Sequence, residues 1–181
     1  MHKEYFFHIP ELDLDEDKRD FLYKKYLVSK ITHKGYNNHT HQYLKTFHTD
    51  IDVLKDIYSN EVIQQIEDLC KGLPTDKFDR DTSYEFLKTE GEVELHRDPV
   101  RLAVLVIPLL NKDNNKLEFW NEEQTKIVDE LDYGTKTYIM RTRVPHSVST
   151  SKKPRVFWQG SIFTREFDEV LEDYRQGRLF K

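Results

Sequence analysis

Two textures of hydrophobic patterning divide this chain. In the first eighty residues, apolar positions recur mainly at helical spacing. After an apolar opening (Tyr5, Phe6, Phe7, Ile9) that fits an edge strand, Phe21, Leu22, Tyr26 and Leu27 mark one face of a helix. Asp13 or Asp15 is its expected N-cap, and it runs to about Ser29. The next stretch, "ITHKGYNNHTHQYLKTFHT", is rich in Gly, Asn and Thr and reads as a loop with room for a short strand. A second helical stretch starts near Thr49 or Asp50, with a break at Ser59-Asn60. It continues through Val62, Ile63, Ile66 and Leu69 to a stop at Gly72 and Pro74.

From Thr82 onward the period changes to that of strands. "TSYEFLKTEGEV" and "ELHRD" are short strands, and "RLAVLVIPLL" is a nearly continuous apolar run of strand length. "KLEFWN", "KIVDEL", "TKTYIMRT", "HSVST" and "RVFWQGSIF" follow at short intervals between Gly, Asp, Asn and Pro signals. "REFDEVLEDYRQGRLFK" reads as a closing helix that ends near Gly177. Many short strands with turn punctuation imply two packed sheets or a barrel. The expectation is a single α+β, mainly β domain over 1–181. Residues 1–81 form a helical N-terminal support, 82–165 a jelly-roll core and 166–181 a C-terminal helix.

Composition narrows the setting. With 181 residues the chain suits one domain. Hydrophobic residues are 37%, and aromatics at 13% supply large buried surfaces. The formal net charge of −5, with both signs interspersed, argues against a broad basic face, so no nucleic-acid partner is expected. One cysteine, Cys70, permits no internal disulfide and reads as a structural thiol on an apolar helix position. No signal-peptide pattern or membrane-length apolar run is present, so a cytoplasmic location and no membrane partner are expected. Oligomeric state cannot be read from these features.

The chemistry lies in four residues: His96 and Asp98 in "LHRDPVRLAVLVIPLL", then His146 and Arg155 in "RVPHSVSTSKKPRVFWQGSIF". Two imidazoles and one carboxylate are the ligand set of a non-heme Fe(II) site that keeps positions open. On an extended backbone, residues i and i+2 point to one side, so His96 and Asp98 can reach one ion from a strand end. Pro99 stops regular pairing just beyond them. His146 must come from a distant strand folded over the first, with Pro145 biasing the bend. Arg155, nine positions on across a turn, is expected on the strand beside that of His146. An inward arginine there is costly to bury unpaired, and a dicarboxylate would supply its partner. Together these residues point to an oxygenase using iron and 2-oxoglutarate.

Other candidates are weighed against plain structural roles. Arg101 could sit at the cavity mouth and bind a carboxylate of substrate or co-substrate, or lie in solvent on a strand edge. Trp120 and Trp158 could line the pocket, but large aromatics in strands are usually core. His33, His39, His41 and His48 lack carboxylates or cysteines at sharp spacing, so a solvated or substrate-contacting loop is a better reading than a second metal site.

The order His-x-Asp … His … Arg, on short strands after N-terminal helices, resembles the Fe(II)/2-oxoglutarate-dependent dioxygenase superfamily. It looks closest to small members related to the prolyl hydroxylases and to aspartyl/asparaginyl β-hydroxylase-like proteins. The phrases "HRDPVRLAVLVIPL" and "RVPHSV … KPRVF" carry the likeness, which covers roughly residues 82–163. It implies a double-stranded β-helix with His96, Asp98 and His146 as iron ligands and Arg155 on the distal carboxylate of 2-oxoglutarate. It also implies O2-dependent hydroxylation with release of succinate and CO2, on an amino-acid or peptidyl side chain or a related small metabolite. Some relatives carry a serine two positions after the arginine, where Phe157 stands here. A hydroxyl from elsewhere, Tyr138 or Thr142, is then expected to assist. The alternatives left open are a cupin-type jelly-roll metalloprotein that does not use 2-oxoglutarate, and a non-catalytic binding module on the same scaffold.

Overall fold

The computed structural model describes residues 4–37, 42–74, 76, 82–111, 115–132, 134–149 and 153–180. Eleven strands and three α-helices are formed among them. In chain order these are β1 (Phe6–His8), α1 (Glu16–Val28), β2 (Ile31–Asn37), β3 (Gln42–His48), α2 (Asn60–Cys70), β4 (Tyr84–Glu90), β5 (Val93–His96) and β6 (Ala103–Asn111). They are followed by β7 (Lys116–Trp120), β8 (Ile127–Asp132), β9 (Tyr138–Arg141), β10 (His146–Val148), β11 (Arg155–Ile162) and α3 (Phe167–Arg175).

The strands make two antiparallel sheets. The larger has the order β1-β9-β6-β11-β4-β3-β2 and the smaller β5-β10-β7-β8. This is the mainly β jelly-roll arrangement expected from the sequence. Helices cover the outer face of the larger sheet, and the smaller sheet packs on its inner face.

The sheet core explains the long apolar run of β6. Ala103, Leu105, Ile107 and Leu109 join the helix-side core with Leu22, Ile66 and Val170. Val104 and Val106 join a second core between the sheets with Leu117, Phe119 and Met140. A strand buried on both faces has no need of polar alternation. The ladder between β6 and β11 slips one residue where Pro108 lies opposite Phe157. Proline cannot donate to a ladder, and a bulge accommodates it.

Local signals set the helix ends. The Asp15 side chain accepts from the Lys18 backbone N–H, as an N-cap should, and Ser59 does the same for Val62 in α2. The stretch Ile51–Leu54 is a separate short 3-10 turn, so the break at Ser59-Asn60 falls as expected. Leu27, assigned to the buried face of α1, is instead 61% exposed.

The segments Ile31–Asn37 and Gln42–His48 correct the sequence reading. They form the hairpin β2–β3, and β3 pairs with β4, so the first eighty residues are not wholly helical. The hairpin lies at the end of the larger sheet, held from the helix side by Phe47 packing edge-on to Tyr26 at 4.8 Å between centroids. His33 and His48 fall on these strands, and His39 and His41 lie outside the described residues. No helix among the described residues is long and apolar enough to cross a membrane. Cys70 is buried in the helix-side core, and burial pushes its thiol far above the ordinary range, which fits a structural role.

Candidate active site

The site is assembled where the smaller sheet brings β5 and β10 together. His96, the last residue of β5, lies directly opposite His146, the first residue of β10. Their ring centroids are 4.3 Å apart. Asp98 follows two residues after His96, with its main chain held by a hydrogen bond from its N–H to Thr142 O (2.9 Å). One ligand atom from each of His96, Asp98 and His146 lies within 4.8 Å of the others. His146 and Asp98 thus face one another, as the sequence required.

The imidazoles are oriented by their own backbone. Nδ1 of His96 lies 2.7 Å from Glu94 O, and Nδ1 of His146 lies 2.9 Å from Val144 O. A carbonyl oxygen only accepts, so each Nδ1 carries a proton, and Nε2 is the nitrogen on the site side of each ring. This carbonyl-to-histidine support is what metal-binding imidazoles require.

Electrostatics agree with a ligand set. Burial, then the neighbouring His96, lowers the pKa of His146 to about 4, so the ring is neutral at neutral pH. For Asp98, burial alone would raise the pKa, but the Arg101 cation, with His146 and His96, outweighs it and the net shift is downward. Asp98 is therefore a carboxylate. Two imidazoles, that of His146 held neutral, and one anionic carboxylate oxygen, all nearly out of solvent, are a donor set that fits a borderline divalent ion such as Fe(II).

Arg101 is placed differently from the sequence expectation. Its Nε and Nη2 both donate to Asp98 Oδ2, at 2.9 and 2.6 Å. It is therefore paired within the site rather than held out for a substrate carboxylate. Thr142 is likewise engaged: its hydroxyl donates to Arg101 O at 2.6 Å, so that proton is not available to a co-substrate. Tyr138 is 4% exposed and belongs to the core between the sheets.

Arg155 also differs in position. β11 lies in the larger sheet between β6 and β4, whereas β10 lies in the smaller one. The chain changes sheets between His146 and Arg155, so the two strands are not ladder neighbours. Alternation then sets the direction of the side chain. Val156 and Trp158 face the helices and Phe157 faces the second sheet, so Arg155 shares the inner face with Phe157.

Arg155 is 1% exposed, and its Nη2 donates to Gly91 O at 2.9 Å. In register it lies opposite Thr89 on one side and Asn111 on the other. Thr89 Oγ1 and both polar atoms of the Asn111 side chain are buried with no hydrogen-bond partner among the described residues. Nδ2 of Asn115 is in the same condition. Buried polar groups are ordinarily bonded, so the Thr89 and Asn111 side chains, on the residues that flank Arg155 in register, have hydrogen-bonding capacity left over. Sequence reasoning did not find Thr89 or Asn111. Trp158 faces the helix-side core, stacked on Tyr84, and so is a core residue and does not line the pocket.

No family model matches the sequence, and no curated protein matches it significantly. Solved structures do match in fold. One is a prolyl hydroxylase from Trichoplax adhaerens in complex with a hypoxia inducible factor oxygen degradation domain peptide fragment. It is 15% identical with a TM-score of 0.59, over 87% of this chain and 83% of that one. Another is a Pseudomonas putida prolyl-4-hydroxylase, 13% identical with a TM-score of 0.53, over 89% of this chain and 93% of that one. The chain thus has the jelly-roll fold of these prolyl hydroxylases along most of its length.

Proposed function

We propose that this chain is an Fe(II)- and 2-oxoglutarate-dependent dioxygenase that hydroxylates an amino-acid or peptidyl side chain or a related small metabolite. The observation that carries the reading is the convergence of His96, Asp98 and His146, with each imidazole oriented by an Nδ1 hydrogen bond to a backbone carbonyl. These three residues would hold the metal. Arg155, with Thr89 and Asn111 beside it, would hold the distal carboxylate of the co-substrate, and their orphaned polar atoms support that role. When bound, the metal and co-substrate supply oxidative decarboxylation, giving succinate, CO2 and an oxidant for a substrate C–H bond. The protein orients the two and keeps water from the buried side. A peptidyl substrate is supported by the fold shared with a hydroxylase that binds a peptide.

The test is anaerobic addition of Fe(II) and 2-oxoglutarate to the purified protein. The weak visible charge-transfer band of the chelate is expected, and His96→Ala is expected to remove it. With O2 admitted, a panel of amino acids and peptides should contain compounds that raise succinate release. A protein that binds metal but neither shows the band nor releases succinate would be a metal-only jelly roll of cupin type.

A further inference from the structure

The pairing of Arg101 with Asp98 has a direction that matters for a metal. A carboxylate has two oxygens, and either or both can coordinate. Here both guanidinium contacts, from Nε and Nη2, fall on the same oxygen, Oδ2. The other oxygen, Oδ1, is the one turned to the histidines, 4.0 Å from His96 Nε2. We infer that Arg101 is a positioning residue that occupies Oδ2 of Asp98 and so presents this ligand to the metal through Oδ1 alone. The inference rests on the metal-site reading above.

The consequence is for the free positions. A facial set of three ligands leaves room for a chelating co-substrate and O2 only if each ligand takes one position. A carboxylate free to rotate could take two. Holding Oδ2 with two N–H donors removes that option before any ion arrives. The loop that carries both residues is braced as well. Thr142 is fully buried, accepts from Asp98 N–H through its carbonyl and donates its hydroxyl to Arg101 O. Both ends of the segment 98–101 are tied to this one residue, so the guanidinium sits on a fixed base.

Two other roles for Arg101 make different predictions. A cation close to a divalent ion repels it, so if the guanidinium acted only through its charge, its removal would tighten metal binding. If it served a substrate carboxylate, its removal would leave metal binding unchanged. A positioning role predicts weaker binding on removal, since loss of an outer partner of a metal ligand costs roughly 10–100-fold in affinity. The sign of the change separates the three.

The experiment is anaerobic titration of the full chain with Co(II), which reports coordination by its visible d–d absorption, in wild type, Arg101→Gln, Arg101→Lys, Thr142→Val and His96→Ala. The Co(II) dissociation constant of Arg101→Gln is expected to rise at least about tenfold, with a shifted band as the second carboxylate oxygen enters. Arg101→Lys, which keeps the charge beside Asp98 and preserves folding should the glutamine variant lose it, is expected to fall between. Thr142→Val is expected to weaken binding in the same direction, by less. Wild-type or tighter Co(II) binding with an unshifted band in Arg101→Gln and Arg101→Lys would overturn the positioning role alone. Absence of Co(II) uptake by the wild type, or wild-type uptake by His96→Ala, would instead overturn the metal site on which the role depends.

Discussion

Thr89 lies directly across the β4–β11 ladder from Arg155, and its buried hydroxyl has no hydrogen-bond partner among the described residues. A shape-preserving Thr89→Val change should therefore act with opposite signs on stability and on binding. Removing an unsatisfied buried hydroxyl should leave the free protein as stable or up to about 2 kcal/mol more stable. Losing a donor to a bound carboxylate should weaken 2-oxoglutarate about tenfold or more. Urea denaturation of the metal-free protein and 2-oxoglutarate titration of the metal-loaded one check the two halves. A destabilised variant with unchanged co-substrate affinity would show that Thr89 does not face the co-substrate.

Arg155 and the metal ligands should be separable. Arg155→Gln is expected to reduce 2-oxoglutarate affinity by about 100-fold or more, since it removes a charge-assisted and bidentate partner. Arg155→Lys should recover only part, because an ammonium offers a point charge in place of a planar fork. Metal affinity should stay close to wild type in both, because Arg155 lies in the other sheet from His96 and His146. Co(II) and 2-oxoglutarate titrations on the same preparations decide this. A parallel loss of metal would mean the two subsites are not independent.

The metal-free protein should lose stability on mild acidification through His146. The folded state lowers the pKa of this ring from 6.5 to about 4, with burial as the main cause and His96 the next. Between those values the unfolded chain binds the proton and the folded chain does not, so stability falls as pH drops. The contribution is complete above about pH 6.5 and is lost toward pH 4, on the order of 3 kcal/mol. Denaturation midpoints of wild type and His146→Gln, followed over this window, should converge as pH falls. Parallel profiles would mean that the ring is not held neutral.

Some of this architecture was legible in the chain because local spacing encodes it. The i, i+2 separation of His96 and Asp98 puts both on one side of an extended segment, and the run in β6 announces burial on both faces. The β2–β3 pairing was hidden because this stretch of sequence is largely polar and Gly- or Asn-rich, and Ile31 is 47% exposed. Its pairing with β4 comes from the larger sheet rather than from its own pattern. Thr89 and Asn111 were hidden for another reason. Each is an ordinary polar residue near a strand end, and only the register sets residue 89 and residue 111 opposite residue 155. Spacing placed Arg101 three positions from Asp98, but whether it turned toward that carboxylate or away from it depended on the loop that Thr142 braces. The change of sheet between His146 and Arg155 was equally invisible, since a turn of that length serves a hairpin or a crossover.

The outer face of β11 offers a test of how the scaffold carries the site. Gly160 lies on the helix-facing side of this strand, and a Cβ there would fall 2.7 Å from Cys70 Sγ and 3.3 Å from the Trp158 ring. Gly160→Ala should therefore cost about 1–3 kcal/mol through overpacking where α2 meets the sheet. The sulfur is the nearer obstacle, so Cys70→Ala in the same chain should recover most of that cost. The pair should be non-additive by about 1 kcal/mol or more in a double-mutant cycle, because the two side chains compete for one volume. Arg155 projects from the opposite face of the same strand, so the single variant should keep metal affinity while losing stability. Additive costs from the two substitutions would show that the strand shifts as a body instead, and co-substrate affinity should then fall with stability.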